Sequence, residues 1–550
     1  MNDLTSPLWT NLTSRERITG TWRSALPNYQ NQPSPCLNAC PVNGRIAEWI
    51  GQVKKGDTKG AFVTLADNNP FPAIAGRICH HPCETACNRN ELDETVGICS
   101  LERFVGDAAL DQGWGFPAPP AELAQSVAVV GGGPAGLSAA YQLRRYGFRV
   151  SLYESKSALG GLMRWGIPAY RLERAVLDGE IARITAMGVD VHLNAEVGDA
   201  DALAALRREH DAVYLATGAS LPKKLPTLDY AAGWVVDSAE FLAAPADQQS
   251  ARTGDHVLVI GGGSAAMDVA RTARRLGRTV TVLTLEPEGS LPAQKVEVDE
   301  AAEEAIRFVS GAMLQSAEAG DGAVTLNCIR VAFSKGERPG AFRVDPVAGS
   351  EFALSVHTVI PAIGQDADLQ RWAGLLEATG PVIAAGKDWQ TSTPGIYAGG
   401  DVASMARFVT QAVGMGKEAA HAIARALAPD IARAVPAELP EVGYDRINIA
   451  YQEPHGRTHQ RLTEVAERLT TFDEVQQPLS ADEAKSEADR CFSCGSCIYC
   501  DNCYFYCPDM AIARLGENGY EVDPDYCKGC GLCVAECPTG SIHMAKDDNA

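Results

Sequence analysis

Residues 127–154, VAVVGGGPAGLSAAYQLRRYGFRVSLYE, return at 257–284 as VLVIGGGSAAMDVARTARRLGRTVTVLT, with the same hydrophobic pattern and glycine placement at a constant offset of 130 residues. A repeat of this kind is one supersecondary unit used twice. Each copy reads as apolar strand, glycine-rich turn, helix and second strand, the order of a dinucleotide-binding unit. In the first copy Gly131 permits the tight turn, Gly133 lets the backbone approach a pyrophosphate, and Gly136 lets helix and strand pack closely. The helix N-terminus then offers unpaired N–H groups to the anion. Glu154, 18 residues beyond Gly136, ends the next strand, where an acid accepts from an adenosine ribose. Gly261, Gly263 and Ala266 fill the corresponding positions of the second copy. Two sites imply two different dinucleotides.

The 17 cysteines are distributed unevenly: six fall between Cys36 and Cys99, ten between Cys491 and Cys537, and Cys328 stands alone. Two runs share one spacing, Cys497-x-x-Cys500-x-x-Cys503-x-x-x-Cys507-Pro508 and Cys527-x-x-Cys530-x-x-Cys533-x-x-x-Cys537-Pro538. Such a loop wraps three corners of an iron–sulfur cubane, and the pair resembles the bacterial two-cluster ferredoxin, in which the fourth cysteine of each run serves the other cluster. The resemblance implies one [4Fe–4S] cluster on Cys497, Cys500, Cys503 and Cys537 and another on Cys527, Cys530, Cys533 and Cys507. Structural zinc is the alternative. Cys491 and Cys494 extend the first run upstream with no assigned task, either as spare thiols or as part of a shifted ligand set.

Composition narrows the rest. The chain has 550 residues, room for about three to five domains. With 48 basic against 69 acidic side chains, a net charge of −21, it lacks the clustered cations that track a phosphate backbone, so nucleic acid is not an expected partner. No apolar run spans a bilayer, and Met1-Asn2-Asp3-Leu4-Thr5 lacks a basic-then-apolar leader. The expected setting is the cytoplasm, without a membrane. Thiols in that reducing compartment serve metals or redox chemistry rather than disulfides.

The segment TSTPGIYAGGD at 391–401 resembles the one that closes over a flavin in two-dinucleotide flavoproteins, which implies FAD in the first fold, with Gly400 beside it and Asp401 reaching the ribityl chain. DAVYLATG at 211–218 and VIPAIG at 359–364 look like the two crossings between flavin and nicotinamide domains. GGLMRWGIPAYRL at 160–172, which brings Gly161 to the flavin site, and AMDVARTARRLG at 266–277 resemble the small subunit of glutamate synthase over roughly residues 36–430. Dihydropyrimidine dehydrogenase carries a similar module. The fold class expected is multidomain α/β. It comprises a helical N-terminal iron–sulfur domain at 1–120 and an FAD domain at 121–220 and 363–430. A nicotinamide domain is inserted at 221–362, a linker spans 431–485, and a ferredoxin-like α+β domain occupies 486–550.

Relatives that use NADPH carry adjacent arginines after the second strand of the second fold, where this chain has Leu285-Glu286. Glu286 repels a 2′-phosphate and accepts from a free 2′-hydroxyl, which favours NAD(H) over NADP(H). Against this, Thr284 occupies the position of Glu154, and Arg274 or Arg275 is near enough in sequence to reach round. The N-terminal cysteines, Cys36, Cys40, Cys79, Cys83, Cys87 and Cys99, resemble the cluster domain of the same relatives, but the Cys-x-x-Cys that precedes Cys36 there is missing. The resemblance implies at least one [4Fe–4S] cluster on Cys40, Cys79 and Cys83, with a fourth ligand among Cys36, Cys87 and Glu102. A second centre on Cys36 and Cys87 stays open. Cys99 and Cys328 read as small core residues.

No acid, base or nucleophile is assigned a catalytic role, since hydride transfer to a flavin needs none. The expected function is an electron-transfer subunit between NAD(H) and [4Fe–4S] clusters through FAD. The appended ferredoxin resembles the nicotinamide-linked subunits of 2-oxoacid oxidoreductases, which implies thiamine-diphosphate partner subunits. A glutamate synthase-like electron donor and a stand-alone NAD(P)H:ferredoxin oxidoreductase are the alternatives.

Overall fold

The computed structural model describes residues 18–20, 23–119, 121–320, 322–336, 342–434, 439–516 and 519–547. Residues 1–5, read above for a leader, lie outside them. The first repeat builds a five-stranded parallel sheet in the order Ile396–Ala398, Ala212–Leu215, Ser126–Val130, Arg149–Glu154, Asp190–Leu193. Both faces are covered, which is why the central strand reads as an unbroken apolar run. Val127 and Val129 pack with Leu137 and Leu143 on one side, and Ala128 and Val130 with Leu203 and Trp372 on the other.

The second repeat builds a four-stranded parallel sheet, Thr358–Pro361, His256–Ile260, Thr279–Leu283, Arg307–Val309, with the helix Ser264–Arg275 on one face. Its other face is covered by a three-stranded antiparallel sheet, Ala312–Ala319, Val324–Lys335 and Phe342–Val356. The alternation of helix and strand patterns along the sequence points to parallel sheets, and these hairpins depart from it. They form because Val324, Leu326 and Cys328 alternate inward against Leu258 and Ile260, a period of two that needs no helix. The two chain crossings pair as a short antiparallel ribbon, Gln365 with Pro222 and Asp366 with Leu221.

Helices Pro35–Ala39, Ile46–Lys54, Thr58–Ala66, Pro72–Ile78, Pro82–Thr85 and Ile98–Asp111 form the N-terminal unit around Trp49, Ile50, Phe62 and Leu101. Leu479, Ala484 and Ala488 join that same core, so the helix Ala481–Asp489, where the sequence suggests the end of a linker, is packed on the N-terminal helices. In the other direction, strand Ala25–Tyr29 leaves the N-terminal unit and pairs antiparallel with Ile542–Lys546 of the ferredoxin-like region. The N-terminal and C-terminal units are thus interleaved. No helix among the described residues is long and apolar enough to cross a membrane.

Arg271 and Arg275 on the helix of the second repeat both clamp Glu304, each at 2.7 Å, and Glu304 is fully buried. Burial works against its charge, but the two guanidiniums hold its carboxyl below the usual range. A depressed carboxyl stabilises the fold above the ordinary carboxylate pKa and loses that contribution as pH falls through the native value. Glu304→Ala leaves two buried cations without their shared partner. It is expected to cost about 3–5 kcal/mol, read as an earlier thermal transition at neutral pH.

Candidate functional site

Gly131 and Gly133 form the turn between Ser126–Val130 and the helix Pro134–Tyr146, with Gly133 as its N-cap. A Cβ on Gly136 would lie 1.9 Å from the carbonyl oxygen of Gly131, so helix and turn touch backbone to backbone. Ala266, fully buried, holds the matching place in the second fold. Glu154 ends its strand with one carboxylate oxygen accepting from Gly132 N–H at 2.8 Å and the other from Lys156 N–H at 2.8 Å. It is therefore fixed beside the turn. Gly161 has φ +51°, and a Cβ there would meet the Cα of Gly133 at 2.7 Å. Two bare backbones facing each other make the kind of cradle a pyrophosphate needs, since any side chain would fill it. Gly400, at φ +74°, lies where a Cβ would meet the methyl of Ala135 at 3.0 Å, and so brings Asp401 to the start of the same helix. Burial raises the Asp401 carboxyl to about 6, against the opposing pull of Arg407.

In the second fold Gly263 caps the helix Ser264–Arg275 and meets nothing that would obstruct a ligand. Glu286 is the informative residue. A Cβ on Gly262 would lie 3.0 Å from its carboxylate, the same separation that Gly132 shows to Glu154. Thr284, which holds the sequence position of Glu154, instead turns its hydroxyl to donate to the Glu286 carbonyl at 2.9 Å. Arg274 donates to the carbonyls of Glu304 and Arg278, and Arg275 to the Glu304 carboxylate. Neither reaches round to the loop.

The cysteines assemble into four groups. Cys40, Cys79 and Cys83 line one cavity with Glu102. A hydrogen bond from Cys99 and the His81 N–H, 3.4 Å from its sulfur, favour the Cys79 thiolate and lower it to about 7 despite burial. A thiolate is the metal-binding form. Burial, with Cys79 beside it, holds the Glu102 carboxyl well above its usual range, a setting that a bound cation reverses. Cys36 and Cys87 line a second cavity together with Cys491 and Cys494. In the ferredoxin-like region burial lifts the Cys497 thiol, and Cys537 and Cys500 beside it lift it further. Cys527 is raised in the same way by burial, then by Cys507 and Cys530. The fourth cysteine of each run thus lies with the other run. Cys99 and Cys328 are buried in the core.

Iron–sulfur cubanes fit these groups better than zinc. One zinc with bonds of about 2.3 Å draws its four sulfurs to about 3.8 Å from one another. Among the described residues the donors gathered to within 4.8 Å of one another are His81, Glu84 and Cys99, and Glu84 is already committed to Cys99 N–H at 2.9 Å and Arg457 at 2.8 Å. The four-thiol groups are wider than that limit, too wide for one zinc.

The sequence pattern assigns no role to the helix Val409–Leu427, which joins the two kinds of site. On one face Thr410 lies 3.6 Å from the Cys79 sulfur, a Cβ on Gly414 would meet the Pro41 carbonyl at 2.3 Å, and Lys417 donates to the Val42 carbonyl at 2.9 Å. On the other, Ser138 of the first glycine helix donates to the Val413 carbonyl at 2.7 Å. The i, i+4, i+7 spacing of 410, 414 and 417 was the available signal.

Comparison with known proteins agrees with this anatomy. Residues 125–416 match the family described as pyridine nucleotide-disulphide oxidoreductase. Residues 25–114 match the 4Fe-4S domain II of dihydropyrimidine dehydrogenase, and residues 520–543 a 4Fe-4S binding domain. The chain is 34% identical over 498 residues to the NADP(+)-dependent formate dehydrogenase subunit beta of Moorella thermoacetica, covering 84% of this chain and 70% of that one. It is 33% identical over 428 residues to the glutamate synthase [NADPH] small chain of Azospirillum brasilense, covering 72% and 87%. It is 33% identical over 400 residues to the NAD-dependent dihydropyrimidine dehydrogenase subunit PreT of Salmonella typhimurium, covering 71% and 90%.

Gly161→Ala places a methyl against Gly133 at a left-handed backbone position. The full-length variant is expected to purify with its iron intact and its flavin absorption band largely lost; an unchanged flavin-to-protein ratio would remove the 133–161 cradle as the binding place.

Proposed function

From the premise that the chain belongs to the pyridine nucleotide-disulphide oxidoreductase family, we propose that it is the NAD-reducing electron-transfer subunit of a 2-oxoacid:NAD oxidoreductase complex. At the coarser level it is an NAD(P)H-dependent FAD and iron–sulfur oxidoreductase of the electron-transfer subunit type. The observation that carries the reading is the helix Val409–Leu427, which follows the flavin-closing segment and touches the Cys79 sulfur through Thr410. A cluster and a flavin held on two faces of one helix can exchange electrons without any movement of the protein.

Bound FAD supplies the conversion between a hydride and single electrons. The chain does the rest. The helix Pro134–Tyr146 presents its free N–H groups to the pyrophosphate, and Glu154 orients the ribose. Asp401 at the same helix start accepts from the ribityl hydroxyls. Glu286, placed beside Gly262 as Glu154 is beside Gly132, accepts from the 2′- and 3′-hydroxyls of NAD(H) and repels a 2′-phosphate. The cluster ligands are Cys40, Cys79 and Cys83 with Glu102 in the N-terminal unit, and the two crossed sets of four in the ferredoxin-like region.

The partner reading rests on the surface around the ferredoxin cysteines. Phe505 and Met510 are 72% and 75% exposed on either side of Cys507, and Tyr506 is also exposed. Apolar side chains gathered in this way beside a redox centre fit a protein surface that delivers electrons. Thiamine-diphosphate oxidoreductase subunits are the partner proposed, because they release low-potential electrons singly.

Two experiments test the reading. Glu286→Arg is expected to move the ratio of kcat/KM for NADH over NADPH at least tenfold toward NADPH, about 1.4 kcal/mol, with flavin content unaltered; an unmoved ratio removes Glu286 from nicotinamide selection. Purification of the full chain from its native source is expected to bring thiamine-diphosphate subunits with it, and Phe505→Ser with Met510→Ser to release them while reduction of a small dye by NADH continues. Co-purification of a glutaminase-containing subunit instead would establish the glutamate synthase-like alternative.

A further inference from the structure

Cys36 and Cys87 of the N-terminal unit share one cavity with Cys491 and Cys494, which come from the segment just ahead of the ferredoxin-like run. No repeat or motif of the sequence joins the two pairs.

We propose that these four thiolates hold a further [4Fe–4S] cluster, a composite centre in which Cys491 and Cys494 take the place of the Cys-x-x-Cys missing ahead of Cys36. The inference rests on the reading above that the other three cysteine groups hold cubanes. Its first support is the shape of the turn. Ser493, between Cys491 and Cys494, has φ +53°, and its N–H lies 3.4 Å from the Cys491 sulfur. The two ferredoxin turns have the same form: Tyr499 at φ +57° and Gly529 at φ +72° stand third in their Cys-x-x-Cys, each with its N–H directed to the first sulfur. A left-handed backbone is costly for serine and tyrosine and persists where the surroundings impose it, as at ligand clamps.

The second support is the lining. Ile46, Ile50, Val96, Ile98 and Phe492 surround the thiols with apolar groups. Two polar side chains reach the sulfurs: Asn88 donates to Cys494 at 3.4 Å, and the Ser34 hydroxyl lies 3.1 Å from Cys36. A largely apolar cavity with hydrogen bonds to its sulfurs is how a protein sets the potential of a cluster.

The third is position. Cys36 and Cys40 are four residues apart around the helix Pro35–Ala39, and Cys83 and Cys87 around Pro82–Thr85. In each pair one cysteine faces the Cys40 cavity and the other the composite one. A rise of about 6 Å per four residues makes the two centres neighbours. On its far side Cys494 stands three residues before Cys497. A cluster on these four thiolates would lie between the ferredoxin side and the Cys40 side, placed to relay single electrons with no bond made or broken.

The test uses the full chain, purified anaerobically, with iron and zinc analysis and electron paramagnetic resonance after dithionite. The wild type is expected to carry about 16 irons, four per cubane over four centres. Cys491→Ser with Cys494→Ser is expected to leave about 12 irons and normal flavin, and to remove one paramagnetic component. Cys36→Ser is expected to remove that same component, a result that general misfolding of either segment does not produce. Wild-type protein with about 12 irons, a zinc in place of the fourth cubane, unchanged iron in the double variant, or loss of different components in the two variants overturns the proposal. Iron counts and spectra do not depend on the nicotinamide or the partner, so failure of the proposed function leaves this result readable.

Discussion

The guanidinium of Arg490 is buried and has all five of its N–H groups engaged. It donates to the Glu487 and Asp93 carboxylates at 2.7 and 3.1 Å, and to the carbonyls of Thr95, Glu94 and His455 at 3.0, 2.6 and 2.8 Å. Arg89 adds a second buried cation, paired with Asp93 and donating to the Arg490 carbonyl at 3.0 Å. Glu487 in turn accepts from the N–H groups of Gly97 and Thr458, each at 2.7 Å. Three distant segments, 89–97, 453–458 and 487–490, are locked by one network, and a buried pair of this kind is costly to break from either side. The position of Cys491, which follows directly, depends on it.

That dependence explains what could be read from the sequence and what could not. The glycine turns were legible because their task is local: strand, turn and helix are contiguous, and the backbone contact of Gly136 with Gly131 lies within one loop. The nearness of each fourth cysteine to the other run was legible because the spacing is repeated. The grouping of Cys491 and Cys494 with Cys36 and Cys87 was not, since it is set by Arg490 and Glu487, whose partners are spread over three segments with no shared pattern. Glu286 lies between these cases. Its type was informative, but its place beside Gly262 came from the turn of Thr284 onto the loop, two residues away from the position that the repeat alone assigns.

The antiparallel sheet of the nicotinamide unit was missed for a different reason. Its strands alternate, as in Val324, Leu326 and Cys328, yet they sit between parallel strands of the surrounding unit. A reading that assigns one architecture to a long region absorbs such hairpins into it. The physical requirement was visible all the same: Leu258 and Ile260 of the strand His256–Ile260 need a cover, and no helix pattern near them supplies one.

The helix Val409–Leu427 stands between the first glycine helix and the Cys40 loop. It is buried on two faces, one against the first glycine helix and one against the loop that follows Cys40. Gly416 and Gly414 are the residues that allow this, since a Cβ at either would lie 2.1 Å from the Ala135 carbonyl or 2.3 Å from that of Pro41. A larger residue at 414 would push the Cys40 loop away from the helix, and one at 416 would push away the first glycine helix. Close packing here does more than stabilise: by backbone contact alone it sets the separation between the first glycine helix and the loop that follows Cys40. Side chains at such an interface can shift by changing rotamer, whereas two backbones in contact lack that freedom, so this separation is the more tightly fixed.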